Sequence, residues 1–93
     1  MKTIKRYMIP TPKGPFELEA PEGAEFFHAD AKDDDPAVFA LVDTDNEDNE
    51  ETNFYVAEHE AELPEDADLA EWYHVASFWR NMTLFHLFER RDV

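Results

Sequence analysis

Ala37-Val38-Phe39-Ala40-Leu41-Val42 decides the fold of this 93-residue chain. The apolar run lies between Pro36 and Asp43 and has the length of a strand rather than of a helix. Such a run predicts a central strand buried on both faces. Its neighbours read as half-buried strands. Phe16-Glu17-Leu18-Glu19-Ala20 alternates apolar and acidic residues with period two, which puts one face in a core. Ala24 to Lys32 reads as another strand, with Phe26 or Phe27 inward. Thr3 to Ile9 opens the chain as a strand through Ile4, Tyr7 and Ile9. Turns fall at the Pro10–Pro15 breaker cluster, at Pro21-Glu22-Gly23 and at Asp33-Asp34-Asp35-Pro36.

Downstream, Thr52 to Ala57 is a strand through Phe54, Tyr55 and Val56. His74 to Trp79 and Thr83 to Phe88 are two more, joined through Arg80-Asn81-Met82 at a spacing suited to a hairpin. Glu58 to Asp68 contains Pro64 and is no single regular element; a short helical turn is predicted over 65–71. The chain is therefore expected to be mainly β, a small antiparallel sandwich or barrel of about six to seven strands. Residues 1–93 are expected to form a single acidic β-rich domain.

With 43% apolar and 14% aromatic residues, the chain can fill a modest core and is not a disordered acidic tail. It has no Cys, hence neither a disulfide framework nor a Cys-based zinc site. No apolar stretch reaches membrane-spanning length, and no signal peptide is visible at Met1-Lys2-Thr3-Ile4. A cytoplasmic protein is expected.

Charge is the most informative feature. The net charge is −15, and 21 of the 23 acids lie between Glu17 and Glu71, beside the lone base Lys32. The other seven bases sit towards the two termini. The densest stretch is Asp43-Thr44-Asp45-Asn46-Glu47-Asp48-Asn49-Glu50-Glu51, six acids in nine residues, which reads as a loop between strands. Self-repulsion on this scale costs stability. It calls for a use, or for life in very high salt.

Several short motifs resemble a known family. They are Met1-Lys2-Thr3-Ile4 with Tyr7, Pro21-Glu22-Gly23-Ala24, His28, Phe39-Ala40-Leu41-Val42-Asp43, Leu63-Pro64 and His86-Leu87-Phe88-Glu89. Together they resemble small proteins encoded in phage and prophage genomes that carry a domain-of-unknown-function label. The resemblance runs in the same order over almost the whole chain. It implies a β-rich fold and a viral setting, and it carries over no catalytic residue. This sequence departs from the pattern at Glu58-His59-Glu60-Ala61-Glu62, where alternating acids stand in place of small residues including Gly.

No chemistry-bearing motif emerges. Asp43, Asp45 and Glu47 have the spacing that opens a calcium loop of the EF-hand kind, but Asp48 stands where Gly is needed and Phe54 where the bidentate Glu belongs. His28, His59, His74 and His86 form no close metal-binding pair in sequence, although His28, His74 and His86 fall in strands that can converge. Ser77 has no flanking elbow glycines, and two glycines are too few for a phosphate-cradling loop. No metal, no cofactor and no enzymatic activity are expected. The aromatics read as core and rim, with Trp79 beside Arg80 a candidate protein anchor.

The remaining reading is electrostatic. Acids two apart on a strand share a face at about 6.6 Å, so Glu17 and Glu19 begin a ladder of carboxylates. A protein bearing such a ladder can imitate a phosphate backbone and occupy a basic nucleic-acid groove. The expected function is a non-enzymatic, phage-encoded inhibitor acting by DNA mimicry on a host defence protein, a CRISPR effector or restriction nuclease, and in its sharpest form an anti-CRISPR protein. The expected contacts are Asp33, Asp34, Asp35, Asp43, Asp45, Glu47, Asp48, Glu50, Glu51, Glu58, Glu60 and Glu62. Neither direct nucleic-acid binding nor a membrane is expected, and homodimerisation is open. The alternative is a small-molecule-binding or structural phage accessory protein acting through its aromatic face, its acidity serving solubility or salt adaptation.

Overall fold

A computed structural model gives the fold and describes residues 1–33, 35–63 and 72–90. Among the described residues, seven strands run in chain order: β1 Lys2–Met8, β2 Gly14–Pro21, β3 Glu25–Lys32, β4 Asp35–Asp43, β5 Asn49–Glu58, β6 Tyr73–Arg80 and β7 Thr83–Arg90. All pairings are antiparallel. One sheet has the order β1-β4-β3 and the other β2-β5-β7-β6. The described residues thus form two antiparallel sheets without a helix, as the alternation of apolar residues requires. The helical turn expected over 65–71 lies outside the described residues.

The apolar run does form the central strand of its sheet, β4. Ala37, Val38, Ala40 and Val42 are buried to within 1% of complete, whereas Phe39 and Leu41 are only partly buried. The expectation of burial on both faces is therefore corrected. One face of β4 meets the second sheet; on the other, the His28 ring of β3 lies 5.6 Å from that of Phe39.

The core joins the sheets through aromatic rings. Phe54 of β5 stacks on Phe16 of β2 at 5.1 Å and meets Phe26 of β3 edge-on at 4.8 Å. Phe26 is the inward residue of its pair, and Phe27, 50% exposed, points out. The pairing of β3 with β4 shifts register between Phe26 and His28, which is what a bulge at Phe27 produces. Phe78 and Phe85 stack at 5.7 Å and close the other side of the core. Edge strand β1 contributes least, with six of its seven residues exposed.

Two turns fix the register. Asn81 and Met82, at φ 48° and 64°, form the two-residue loop between Arg80 and Thr83. Both central residues at positive φ define the hairpin turn whose twist matches that of its strands. Gly23, at φ 83°, closes the 21–24 turn, where the Ala24 amide donates to the Pro21 carbonyl at 3.1 Å.

Candidate functional site

The acids fall at two ends of the sandwich. β5 starts at Asn49, so Glu50 and Glu51 belong to a strand and not to the loop in which the sequence placed them. Its ten residues separate the 43–48 loop from Glu58 by roughly 30 Å. Asp43, Asp45, Glu47, Asp48, Glu50 and Glu51 gather at the first end. Asp33, Asp35, Glu58, Glu60 and Glu62 lie at the second; Asp34 is outside the described residues. Glu22 and Glu25 join the first group through the 21–24 turn, which is tied to the acidic loop. The Glu22 amide donates to the Asp48 carbonyl at 2.9 Å, and the Asn46 side-chain amide donates to the Glu22 carbonyl at 2.9 Å.

Some of these carboxylates are engaged within the chain. Asp43 and Asp45 both accept from the Met1 amino group, and Asp43 also accepts from the Asp45 amide at 3.0 Å. These donors hold the Asp43 carboxyl below its ordinary range, with the Asp45 amide the larger cause. Glu50 accepts from the Gly23 amide at 3.1 Å. At the second end Glu58 lies 3.7 Å from the Lys13 ammonium and Glu60 3.6 Å from the His59 ring. Glu47, Asp48 and Glu51 remain exposed at the first end.

Around Glu51 like charges crowd together. Glu19 pairs directly with Glu51 across β2 and β5, and Glu17 with Asn53. Opposite residues on paired strands lie about 5 Å apart. The Glu51 carboxyl is pushed above its ordinary value, first by its hydrogen bond to the Glu17 carboxyl and then by that group's charge. Beside this patch, a cleft of about 680 Å³ is lined by Glu25, Glu50, Glu51, Glu89 and Arg90, among others. Glu89 is buried at 4% exposure. The sequence signals no buried acid, because Glu89 continues the inward positions of Phe85 and Leu87 past the end of the apolar run.

Three of the four histidines come together on the outer face of the second sheet. The His59 Nδ1 lies 2.9 Å from the His86 Nε2, the His86 Nδ1 lies 2.7 Å from the Ser77 Oγ, and that hydroxyl lies 3.1 Å from the His74 Nε2. A bulge makes this possible. The register of β6 on β7 shifts between His74 and Ala76, so His74 and Ser77, an odd number of residues apart, reach the same face. The His59 amide donates to the Leu84 carbonyl at 2.9 Å, which brings the end of β5 against β7. Burial, then the charges of His59 and His74, hold the His86 imidazole below its ordinary value. His28 stands apart on the other sheet, 3.8 Å from Asp30. Among the described residues, no group of three or more His, Asp or Glu is placed to hold a metal ion.

The aromatic face divides. Phe78 and Phe85 are core residues. Trp72 meets Tyr55 edge-on at 6.2 Å on the outer face. Trp79 is 64% exposed, and the Arg80 guanidinium lies 5.7 Å over the Phe85 ring. Among the described residues, no helix is long and apolar enough to cross a membrane.

The whole chain, residues 1–93, matches the family described as Domain of unknown function (DUF7352). No curated protein and no solved structure matches it.

Proposed function

The chain belongs to the DUF7352 family, whose description assigns no activity, and from its geometry we propose that it is a non-enzymatic inhibitor displaying carboxylates in place of phosphates to a basic nucleic-acid-binding surface. The observation that carries this reading is the crowding of Glu17, Glu19 and Glu51 on two paired strands. There the Glu51 carboxyl is pushed above its ordinary value, first by its hydrogen bond to the Glu17 carboxyl and then by the repulsion of that group's charge. A cationic groove relieves that repulsion on binding, so the crowded patch favours a partner of opposite charge. Glu47 and Asp48 extend the patch along the same end. In the phage setting that the motif resemblance implies, the partner is a host defence protein in the host cytoplasm, a CRISPR effector or a restriction nuclease, and the sharpest form of the function is an anti-CRISPR protein.

The test uses the immobilised protein, a host lysate at low salt and a rising salt gradient. A basic nucleic-acid-binding protein is expected to elute at moderate salt and to be displaced by added duplex DNA. A variant with Glu17, Glu19, Glu47 and Glu51 changed to Gln and Asp48 to Asn is expected to retain none of it. Retention by that variant, or indifference to DNA, would overturn the reading and leave acidity as a solubility device.

A further inference from the structure

The two sheets turn different surfaces to solvent. The second presents Glu17, Glu19 and Glu51 on β2 and β5. On the first, Val38, Ala40 and Val42 of β4 point into the core, so Phe39 and Leu41 point out and stay partly exposed. Register sets Ile4 of β1 beside Leu41 and Met8 beside Ala37 on that outer face. Ile4 is 60% exposed and Met8 48%. The half-exposed Phe27 ring joins them from the bulge in β3. An apolar strip therefore crosses this face. Its charge is also unlike that of the whole molecule. Lys32 stands opposite Asp35, the Met1 amine binds Asp43, and Lys2 and Arg6 are matched in number by Glu25 and Asp30. The face is close to neutral on a chain of net charge −15. Its charges are sorted as well: Lys2 and Arg6 lie on β1 at one edge, Glu25 and Asp30 on β3 at the other.

We propose that the outer face of the β1-β4-β3 sheet receives a second copy of this chain, packed face to face about a two-fold axis that runs along the strands between the two β4 strands. That axis lays the apolar strips against one another and sets β1 of each copy over β3 of the other. Lys2 and Arg6 then meet Glu25 and Asp30, once on each side of the axis. A two-fold across the strands would instead oppose β1 to β1, bases to bases. Pairing the two free β1 edges would crowd Lys2, Lys5 and Arg6 against their own copies, and like charges directly opposed are destabilising. The near-neutral face is also where two strongly acidic chains approach with least repulsion, and it leaves Glu17, Glu19 and Glu51 pointing away from the contact. Three strands of about seven residues span roughly 24 by 14 Å, well under the roughly 800 Å² per partner of a standard interface. The dimer is therefore weak, with a Kd of about 0.1–1 mM. Salt strengthens it up to about 0.15 M by screening the long-range repulsion, whereas salt weakens attachment of the carboxylate patch to a basic groove.

The test is sedimentation equilibrium of the full chain from about 10 µM to 1 mM at about 0.15 M salt, with methyl NMR over the same range. The average mass is expected to climb towards that of a dimer. The Ile4 and Met8 methyl signals should shift with concentration, and the Met82 methyl, on the β6–β7 turn of the other sheet, should not. Arg6→Glu should weaken association at least about tenfold. Adding Glu25→Lys and Asp30→Lys to that chain should restore it. Adding Glu17→Lys and Glu19→Lys instead changes the net charge equally on the other sheet and should not. A chain that stays monomeric throughout refutes the surface. So does association that leaves Ile4 and Met8 unmoved, that is indifferent to Arg6→Glu, or that either pair of lysines restores equally.

Discussion

Phe54 ties the two sheets together. It is fully buried and touches one aromatic ring from its own sheet and one from the other. Phe54→Ala is expected to cost about 3–5 kcal/mol, a large share of the stability of a domain this size, and to show as loss of a cooperative thermal transition. Met82 lies at the opposite extreme. It is 95% exposed and sits at φ 64°, a conformation that costs a side chain about 1–2 kcal/mol. Met82→Gly should therefore stabilise the protein, and a higher urea midpoint would record it; an unchanged midpoint would mean that the turn is not strained. Glu51 gives a pH signature. Its folded value lies above its ordinary 4.5, so its contribution to stability is complete below that pH and is lost as pH rises through the folded value. Glu51→Gln should raise the melting temperature at pH 7 and leave it unchanged at pH 4. His86 has the opposite sign. Its folded value lies below the ordinary 6.5, so the unfolded chain binds the extra proton and stability falls as pH drops from 6.5.

Among the elements, the strands were legible in the sequence and the bulges were not. Period-two alternation in Phe16 to Ala20 and the apolar run of Ala37 to Val42 each mark a strand, because burial of one or both faces is a property of the segment itself. The start of β5 is not legible in the sequence, because Asn49, Glu50 and Glu51 form no apolar pattern of their own. Their place in the sheet comes from pairing with Pro21, Ala20 and Glu19, a long-range contact that local composition does not record. The histidine chain was hidden for the same reason. His74 and Ser77 share a face only because of the register shift in β6, and His59 reaches His86 only through the pairing of β5 with β7. Edge strand β1 carries a prediction at this scale. It buries little and pairs on one side only, with β4. Local opening should therefore cost less there than in β5 or β7, each paired on both sides. Amide hydrogen exchange should be faster in Lys2–Met8 than in Asn53–Val56, and equal protection would show that β1's free edge is covered in solution.

For the molecule as a whole, the charge has to be weighed against the core. A net charge of −15 on a domain of 93 residues opposes compaction at every pH above the carboxylate range. Part of that repulsion is absorbed internally: the Met1 amine takes up Asp43 and Asp45, Lys13 faces Glu58, and the Gly23 amide holds Glu50. Elsewhere it is left standing, as where Glu17, Glu19 and Glu51 meet on the exposed face of β2 and β5, on the opposite side of those strands from Phe16 and Phe54. Repulsion among exposed side chains destabilises without unfolding, because the packing that holds the sheets together does not pass through them. Salt then separates a binding surface from an adaptation to brine. The Debye length falls from about 30 Å at 0.01 M to about 10 Å at 0.1 M, so most of the long-range repulsion is already screened at modest ionic strength. The protein is expected to be folded at 0.01 M salt, with a melting temperature that rises steeply to 0.1 M and only slowly beyond. Molar salt as a condition for folding would identify an acidic surface that depends on bound cations for its hydration. Such a surface has no need of a basic partner, and the mimicry reading would fall with it.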